Sequence, residues 1–363
     1  MITKSTLKLW AAVAVLGFAS ACSDDDGPIE EPAAAGAVVA PAVGGPDQPN
    51  QVFVDLSAEE TYVVERNGWD LGFYSGSEYR VIINNPTSAF ARAIDKTDLT
   101  TVTAEDTVGM GAQLDINAIF GTLFGPQVPE WVSEATTWMD APNGDISQTA
   151  IAAVSATESQ NQVYILNRGN NPDGSNRGWV KLRVLQNGNG YTLRYAEIAS
   201  ETYQEINISK DTEYDFVSID LDNGAEVSFP KKNNWDIMFS VWTNVIPFSA
   251  TTSIPYSYKD FVISNTARVE VAVVEVAGDV TYDSFDFTGV GSLTFTNDYD
   301  AIGSGWRTTS SPGSDQGPGV VDTQFYVIKD TGDNYYKLKF TRLVDPVSGE
   351  RGNAQFQYDL LVQ

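Results

Sequence analysis

Apolar residues recur at every second position in two short stretches, Trp69/Leu71/Phe73 and Trp235/Ile237/Phe239, and a turn-prone pair precedes each, Asn67-Gly68 or Asn233-Asn234. That period belongs to a half-buried strand, and the turn in front fixes where the strand begins. The stretches Asn67 to Tyr74 and Asn233 to Ser240 are edited copies set 166 residues apart. A second echo follows in the same order. Gln162-Val163-Tyr164-Ile165-Leu166 leads to Trp179-Val180-Lys181-Leu182-Arg183-Val184, and Gln324-Phe325-Tyr326-Val327-Ile328 leads to Tyr335-Tyr336-Lys337-Leu338-Lys339-Phe340. A Gly/Asn-rich turn and a closing strand, Tyr191 to Ile198 or Ala354 to Val362, end each copy. The Trp-to-Lys interval is 112 residues in one copy and 102 in the other, so the copies differ mainly by insertions between shared strands, as an internal duplication predicts.

Further short, aromatic or β-branched runs at Val52 to Leu56, Tyr79 to Ile83, Gln204 to Ile208, Ala225 to Phe229 and Arg268 to Val276 are separated by Gly, Asn, Asp and Pro. The chain therefore reads as all-β. One segment departs from this. From Met110 to Phe124, the residues Leu114, Ile116, Ile119, Phe120, Leu123 and Phe124 approximate a helical stripe that Gly125-Pro126 stops. The prediction is two tandem antiparallel β-sandwich-like domains, 51–211 and 212–363, connected near Ser200 to Asp211, with a short helical insertion in the first. The roughly 310 residues after position 50 exceed the usual size of a single core. Within each copy the Trp is expected on the core face, Asp70 and Asp236 on the opposite face bonding turn backbone, and Lys181 and Lys337 on a solvated face.

At the amino terminus, Lys4 and Lys8 precede the apolar run Leu9 to Phe18, and Ala19-Ser20-Ala21-Cys22 closes it. This is the layout of a secretory signal, 1–21, too short to span a bilayer as a helix. Cys22, the single cysteine, follows small residues as the lipidated cysteine of a bacterial lipoprotein does, and Ser23-Asp24-Asp25-Asp26 resembles the acidic export tag of surface lipoproteins of Bacteroidota. Residues 22–50, with five prolines from Pro28 to Pro49 among Ala, Gly and Val, read as a disordered tether. The expected location is the outer membrane, lipid-anchored and facing outward.

Charge and composition narrow the function. Removing Lys4 and Lys8 from 22 basic residues leaves 20 against 48 acidic ones, a net charge of −28, which disfavours a nucleic-acid partner. With no histidine and Cys22 lipidated, Ser-His-Asp and Cys-His catalysis and His or thiolate metal sites are excluded, so the reading is a binding protein and not an enzyme.

The motifs carry a likeness to a family. Trp-Asp-Ile/Leu-x-Phe (Trp69 to Phe73, Trp235 to Phe239), Asp260 to Asn265, Ile302 to Trp306, Tyr335 to Phe340 and Gly349 to Gly352 resemble the HmuY-like haem-binding surface lipoproteins of Bacteroidota, over nearly all of 51–363. The resemblance implies an antiparallel all-β domain, haem as ligand and delivery to a TonB-dependent outer-membrane receptor. It also implies iron ligands between the Trp-Asp strand and the Lys-Leu strand, histidines in some members and methionines in others. This chain has no histidine, and the methionines in that interval are Met110 and Met139. Tyr256 and Tyr258 are the weaker ligand candidates, and the candidates for the haem propionates are Arg80, Arg92 and Lys96 in the first copy and Lys259, Arg268 and Arg307 in the second. The alternative is a glycan- or protein-binding adhesion lipoprotein without haem. The acidic turn at Asp220 to Gly224 lacks EF-hand spacing, with Lys231 at the twelfth position, and reads as an Asx turn.

The anchor makes a direct prediction. Cys22→Ala should block processing or release the protein from the outer membrane, seen by fractionation and by protease accessibility on intact cells; normal processing and surface retention of that variant would refute the anchor.

Overall fold

The computed structural model describes residues 33–309 and 317–362, so the signal segment and Cys22 lie outside the described residues. Three strands open the chain, β1 (Gly36–Val39), β2 (Asn50–Asp55) and β3 (Glu60–Glu65). The first Trp-Asp pair leads into β4 (Leu71–Tyr74), then β5 (Val81–Ile83) and β6 (Phe90–Ile94). An insertion with α1 (Met110–Gln113), α2 (Ile116–Thr122) and a 3-10 run Glu130–Trp138 precedes β7 (Val163–Asn167), β8 (Trp179–Asn187) and β9 (Gly190–Glu197). The cycle then restarts with β10 (Gln204–Ser209), β11 (Phe216–Asp220) and β12 (Ala225–Val227). The second Trp-Asp pair enters β13 (Ile237–Pro247), followed by β14 (Ser253–Ser264) and β15 (Glu270–Glu275). A second insertion holds the short β16 (Arg307–Thr308) and β17 (Gly319–Val320), and β18 (Gln324–Lys329), β19 (Tyr335–Arg342) and β20 (Gln355–Leu360) close the fold. The all-β expectation and the helical insertion both hold.

Four antiparallel sheets make two sandwiches. In the first, β10-β9-β8-β7-β6 packs on β12-β11-β4-β5 around Leu71, Phe73, Leu166, Leu182, Leu193 and Ile219. In the second, β1-β20-β19-β18-β15 packs on β14-β13-β2-β3 around Val52, Ile237, Phe239, Leu338, Phe356 and the fully buried Trp306. The strands are not shared out as the repeat boundary predicts. The first sandwich is one continuous stretch, β4 to β12, whereas the second takes β1 to β3 from the start of the chain and β13 to β20 from its end. The register explains how. Leu71 faces Ile219 and Phe73 faces Val217, while Ile237 faces Val54 and Phe239 faces Val52. The runs Val54-Asp55-Leu56 and Ile219-Asp220-Leu221 are copies of one another, and each pairs with the Trp-Asp strand of the other copy. The boundary expected near Ser200 to Asp211 thus falls inside the first sandwich, whose edge strand is β10.

Two local readings are corrected. Residues 33–50, expected to be tether, carry β1, which pairs along β20 from Gly36 opposite Asp359 to Val39 opposite Phe356. Gly36 has φ +140°, and a Cβ there would stand 2.4 Å from the Tyr358 carbonyl oxygen, so only glycine lets the strand dock so closely. The prolines of this segment lie outside β1, which is why composition alone suggested no element. Lys181 and Lys337, expected on a solvated face, lie beneath the insertions instead. Lys181 is fully buried and donates to the carbonyls of Val102 and Ser200, and Lys337 to those of Tyr282 and Phe285. Each insertion covers the outer face of its five-stranded sheet, one through Leu114, Ile119 and Trp138, the other through Tyr282, Val290 and Phe285.

The Trp-Asp pairs close both sandwiches. The Asp70 N–H donates to the Ile219 carbonyl and its carboxylate accepts from the Leu221 N–H at 2.9 Å; the Asp236 N–H donates to Val54, and its carboxyl accepts from the Leu56 N–H at 2.8 Å. Asn84 and Asn265 complete the match, their amides donating to the carbonyls of Trp69 and Trp235. In the second sandwich the family motifs also converge: Asp260 accepts from Arg351 and Gln48, and the Asp260 carbonyl accepts from the Trp306 indole. The two Asp sites differ in charge. Arg168, just after β7, holds Asp70 through two hydrogen bonds of 2.8 and 2.9 Å, with Arg177 at 3.0 Å. The residue just after β18 is Asp330, and among the described residues no cation answers Asp236. Burial, with Asp330 and Asp55 adding like charge, pushes the Asp236 carboxyl up to about 7 against its hydrogen bonds from Leu56 and Thr331.

Two expectations follow from this construction. A fragment 67–230 should fold alone as a soluble β-rich protein, whereas 51–205 lacks β11 and β12, half of the sheet that holds β4, and should aggregate; circular dichroism and gel filtration of the two decide, and the reverse result would overturn the strand assignment. A raised carboxyl pKa in the fold means that Asp236 contributes its stability below about pH 4 and loses it as pH rises through about 7. The slope is at most about 1.4 kcal/mol per pH unit. Denaturant unfolding of Asp236→Asn should therefore show a flatter decline between pH 4 and pH 7 than the parent; identical slopes would show that Asp236 does not titrate there.

Candidate functional site

The four-stranded sheets of the two sandwiches also have apolar outer faces, and these meet. Phe53 on β2, Trp69, Met238 on β13 and Ile263 on β14 form one cluster with Ile82, Phe229, Trp235, Trp242 and Tyr299. Both Trp residues of the Trp-Asp pairs belong here and not to the sandwich cores, because they precede their strands and are free of the strand alternation. The rings meet edge to face, Phe53 with Trp235 at 5.3 Å and Trp69 with Phe229 at 5.7 Å between centroids. Gln51 ties them to the sulfur of β13: it accepts from the Trp69 indole at 2.9 Å and donates to Met238 Sδ at 3.3 Å.

A groove of ≈440 Å³ opens along this cluster, floored by Phe53, Trp69, Met238, Trp242, Ile263 and Tyr299. That volume lies in the range of small-molecule sites, about 300–1,000 Å³. One end carries Lys232, Asn265, Arg268 and Asp215. Lys232 is half-buried and has no ion-pair partner among the described residues. Arg268 grips Asp215 with two bonds of 2.9 Å. Ser264, opposite Ile237, turns its hydroxyl to the core side of β14 and away from the groove, where it has no hydrogen-bond partner among the described residues. Asn265 links this end together, donating to the Lys232 carbonyl and accepting from Arg268. The opposite wall comes from the helical insertion. There Asp140 accepts from the N–H groups of Ile83 and Ala150, burial pushes its carboxyl up to about 7, and the Trp242 indole donates to the Pro142 carbonyl at 3.2 Å. A second cleft, ≈540 Å³, lies between Tyr62, Tyr214 and Pro230 and has a more polar lining.

Of the candidates named from sequence, Arg268 lines the groove, paired with Asp215, and the others fall elsewhere. Met110 and Met139 lie in one buried cluster with Phe90, Leu114, Ile119 and Trp138, and neither lines the groove. Arg92 joins them from the sheet side, over the Trp138 ring and bonded to Gln113. Lys96 is held by Asp106 and the Thr101 carbonyl, and Arg80 by Glu78 and the Ser147 carbonyl, so all three cations already have protein partners. Tyr256 and Tyr258 touch each other at 4.7 Å between centroids, with Tyr256 against Phe120 and Tyr258 against Phe261. Burial raises the Tyr258 phenol, which disfavours the phenolate an iron would take. Met238, read from sequence as packing, is the methionine that reaches the groove. The signal for it was a thioether in the otherwise polar phase of β13, between Asp236 and Ser240. The acidic turn behaves as an Asx turn, with the Asp222 N–H donating to Asp220, and the described residues hold no cluster of His, Cys, Asp or Glu suited to a metal ion.

The family model described as HmuY protein matches residues 47–358. The chain belongs to the HmuY family. The match begins ahead of β2 and ends in β20, so in this HmuY-family chain a single match runs through both sandwiches and the groove between them. No curated protein and no solved structure matches the chain.

Proposed function

We propose that this HmuY-family protein binds haem at the cell surface and passes it to a TonB-dependent outer-membrane receptor, as a lipid-anchored carrier and not an enzyme. Family membership over residues 47–358 is the observation that carries the reading. The residues present are compatible with it. Haem iron accepts thioether or phenolate donors where histidine is absent, and an aromatic groove of ≈440 Å³ matches the flat apolar body of the ligand. Met110 and Met139 remain ligand candidates on the family pattern, although engaging them would require the helical insertion to part from its sheet. A thioether ligand favours ferrous over ferric iron, because axial methionine raises the reduction potential.

Titration of the purified protein with haemin, oxidised and then reduced, should give a saturable Soret change that tightens on reduction. Met110→Leu, Met139→Leu and Met238→Leu keep the volume nearly constant and cost under about 1.5 kcal/mol each, so loss of the reduced-state band in one of them identifies the ligand. Absence of any saturable change would favour the adhesion reading.

A further inference from the structure

A sheet edge carries backbone N–H and C=O groups with no strand to meet them, and folded chains cover or break such edges. Several edges here are covered. On β14, Val262 exchanges both backbone hydrogen bonds with Gly303; on β15, Val271 does the same with Thr296; and on β5 the Ile83 N–H donates to Asp140. The edge of β3 has no such cover. β3 pairs only with β2, and one step beyond the Asn50–Glu65 pair the Arg66 N–H donates to the Pro49 carbonyl opposite, which fixes the phase of the ladder. Hydrogen-bonded pairs alternate along an antiparallel ladder, so Glu60, Tyr62 and Val64 point their backbone groups at β2, and Thr61 and Val63 point theirs outward. Those outward groups have no hydrogen-bond partner among the described residues, and Val63 is 50% exposed.

The ≈540 Å³ cleft runs along this edge. Tyr62, Val63 and Val64 line it, three successive residues whose side chains alternate between faces, so what the cleft meets is the edge of the strand. Phe229, Pro230 and Lys231, just after β12, line it as well. Lys231 is already paired with Glu213 at 2.8 Å, whereas Glu60 and Glu65, the two ends of β3, have no ion-pair partner among the described residues. We propose that β3 is a docking edge for an extended segment of another protein, which adds to the four-stranded sheet as a fifth strand, apolar in its centre against Tyr62, Val64 and Phe229 and basic at its ends beside Glu60 and Glu65. Main-chain hydrogen bonds to Thr61 and Val63 supply the affinity, and the alternating side chains supply the selection. Opposite charges across a strand pair stabilise it and like charges do not, so the acidic ends of β3 select a basic segment. The proposal uses none of the haem ligand candidates and is independent of the haem reading.

The probe is a seven-residue peptide of alternating valine and threonine with a lysine at each end, titrated into the whole protein and followed by calorimetry and by amide hydrogen exchange. It should bind saturably and protect the Thr61 and Val63 amides, which are open in the free protein. The same peptide N-methylated along its backbone loses its main-chain donors and should bind at least about tenfold more weakly, as should the parent peptide to Val63→Pro. That proline deletes the outward N–H and leaves the bonds of Tyr62 and Val64 to β2 in place, a position an edge strand tolerates. Replacing the terminal lysines by glutamates should weaken binding roughly threefold or more. Any of four results overturns the proposal: no saturable binding, equal binding of the N-methylated peptide, parental affinity in Val63→Pro, or protection confined to the edges of β1 or β10. A dimer on gel filtration whose Thr61 and Val63 amides are protected without peptide would also overturn it, because the occupant of the edge is then a second copy of this chain.

Discussion

The buried Asp of each Trp-Asp pair is the constraint on which both sandwiches depend. A strand needs a partner, and Asp70 and Asp236 fix the register of theirs by presenting a carboxyl to a backbone N–H two residues past the residue whose carbonyl takes the Asp N–H, Leu221 in one case and Leu56 in the other. A partner strand slipped out of that register would leave a carboxyl buried without its donor, which is costly in an apolar interior. The same residue can do this with or without charge. Arg168 and Arg177 keep Asp70 in an ion pair, while burial, with Asp330 adding like charge, favours a neutral Asp236 carboxyl that still accepts its hydrogen bonds. Duplication has thus preserved the geometry of the junction and changed its electrostatics.

Much of the architecture was legible in the chain because the alternation of Leu71/Phe73, Ile237/Phe239 and the Lys-Leu strands is a local property. What was not legible was which copy supplies each partner. Val54-Asp55-Leu56 and Ile219-Asp220-Leu221 offer the same pattern in the same register, so no local signal distinguishes a hairpin that pairs within its own copy from one that pairs with the other. Lys181 failed for a related reason. Alternation reports two faces, and it does not report that an insertion from elsewhere in the chain will cover the second one. The groove lay beyond sequence reasoning because it is made by surfaces of two sandwiches, and its one sequence trace, Met238 in a polar phase, has packing as its ordinary explanation.

The insertions, conspicuous in sequence as the places where the copies differ, are structural covers. Each roofs a five-stranded sheet and is pinned from below by a lysine, and the first also lends Asp140 and Pro142 to the groove wall. Variation between the copies therefore alters the outside of each sandwich while the shared strands hold the junction.

Because the first sandwich is continuous and the second is assembled around it, order of synthesis matters. When the ribosome has delivered β1 to β3, their partners β13 to β20 do not yet exist, so an apolar hairpin carrying Val52, Val54 and Phe53 must wait through more than a hundred residues of chain. The first sandwich shortens that wait in space. Once 71–227 has folded, it replaces a long flexible loop between β3 and β13 with a rigid body, and the entropy of closing the second sandwich falls accordingly. Any condition that slows the first sandwich lengthens the interval in which the leading hairpin has an open edge, and such edges recruit the wrong chain. The amino-terminal strands are thus a timing liability, and an inserted sandwich that folds before them would limit it.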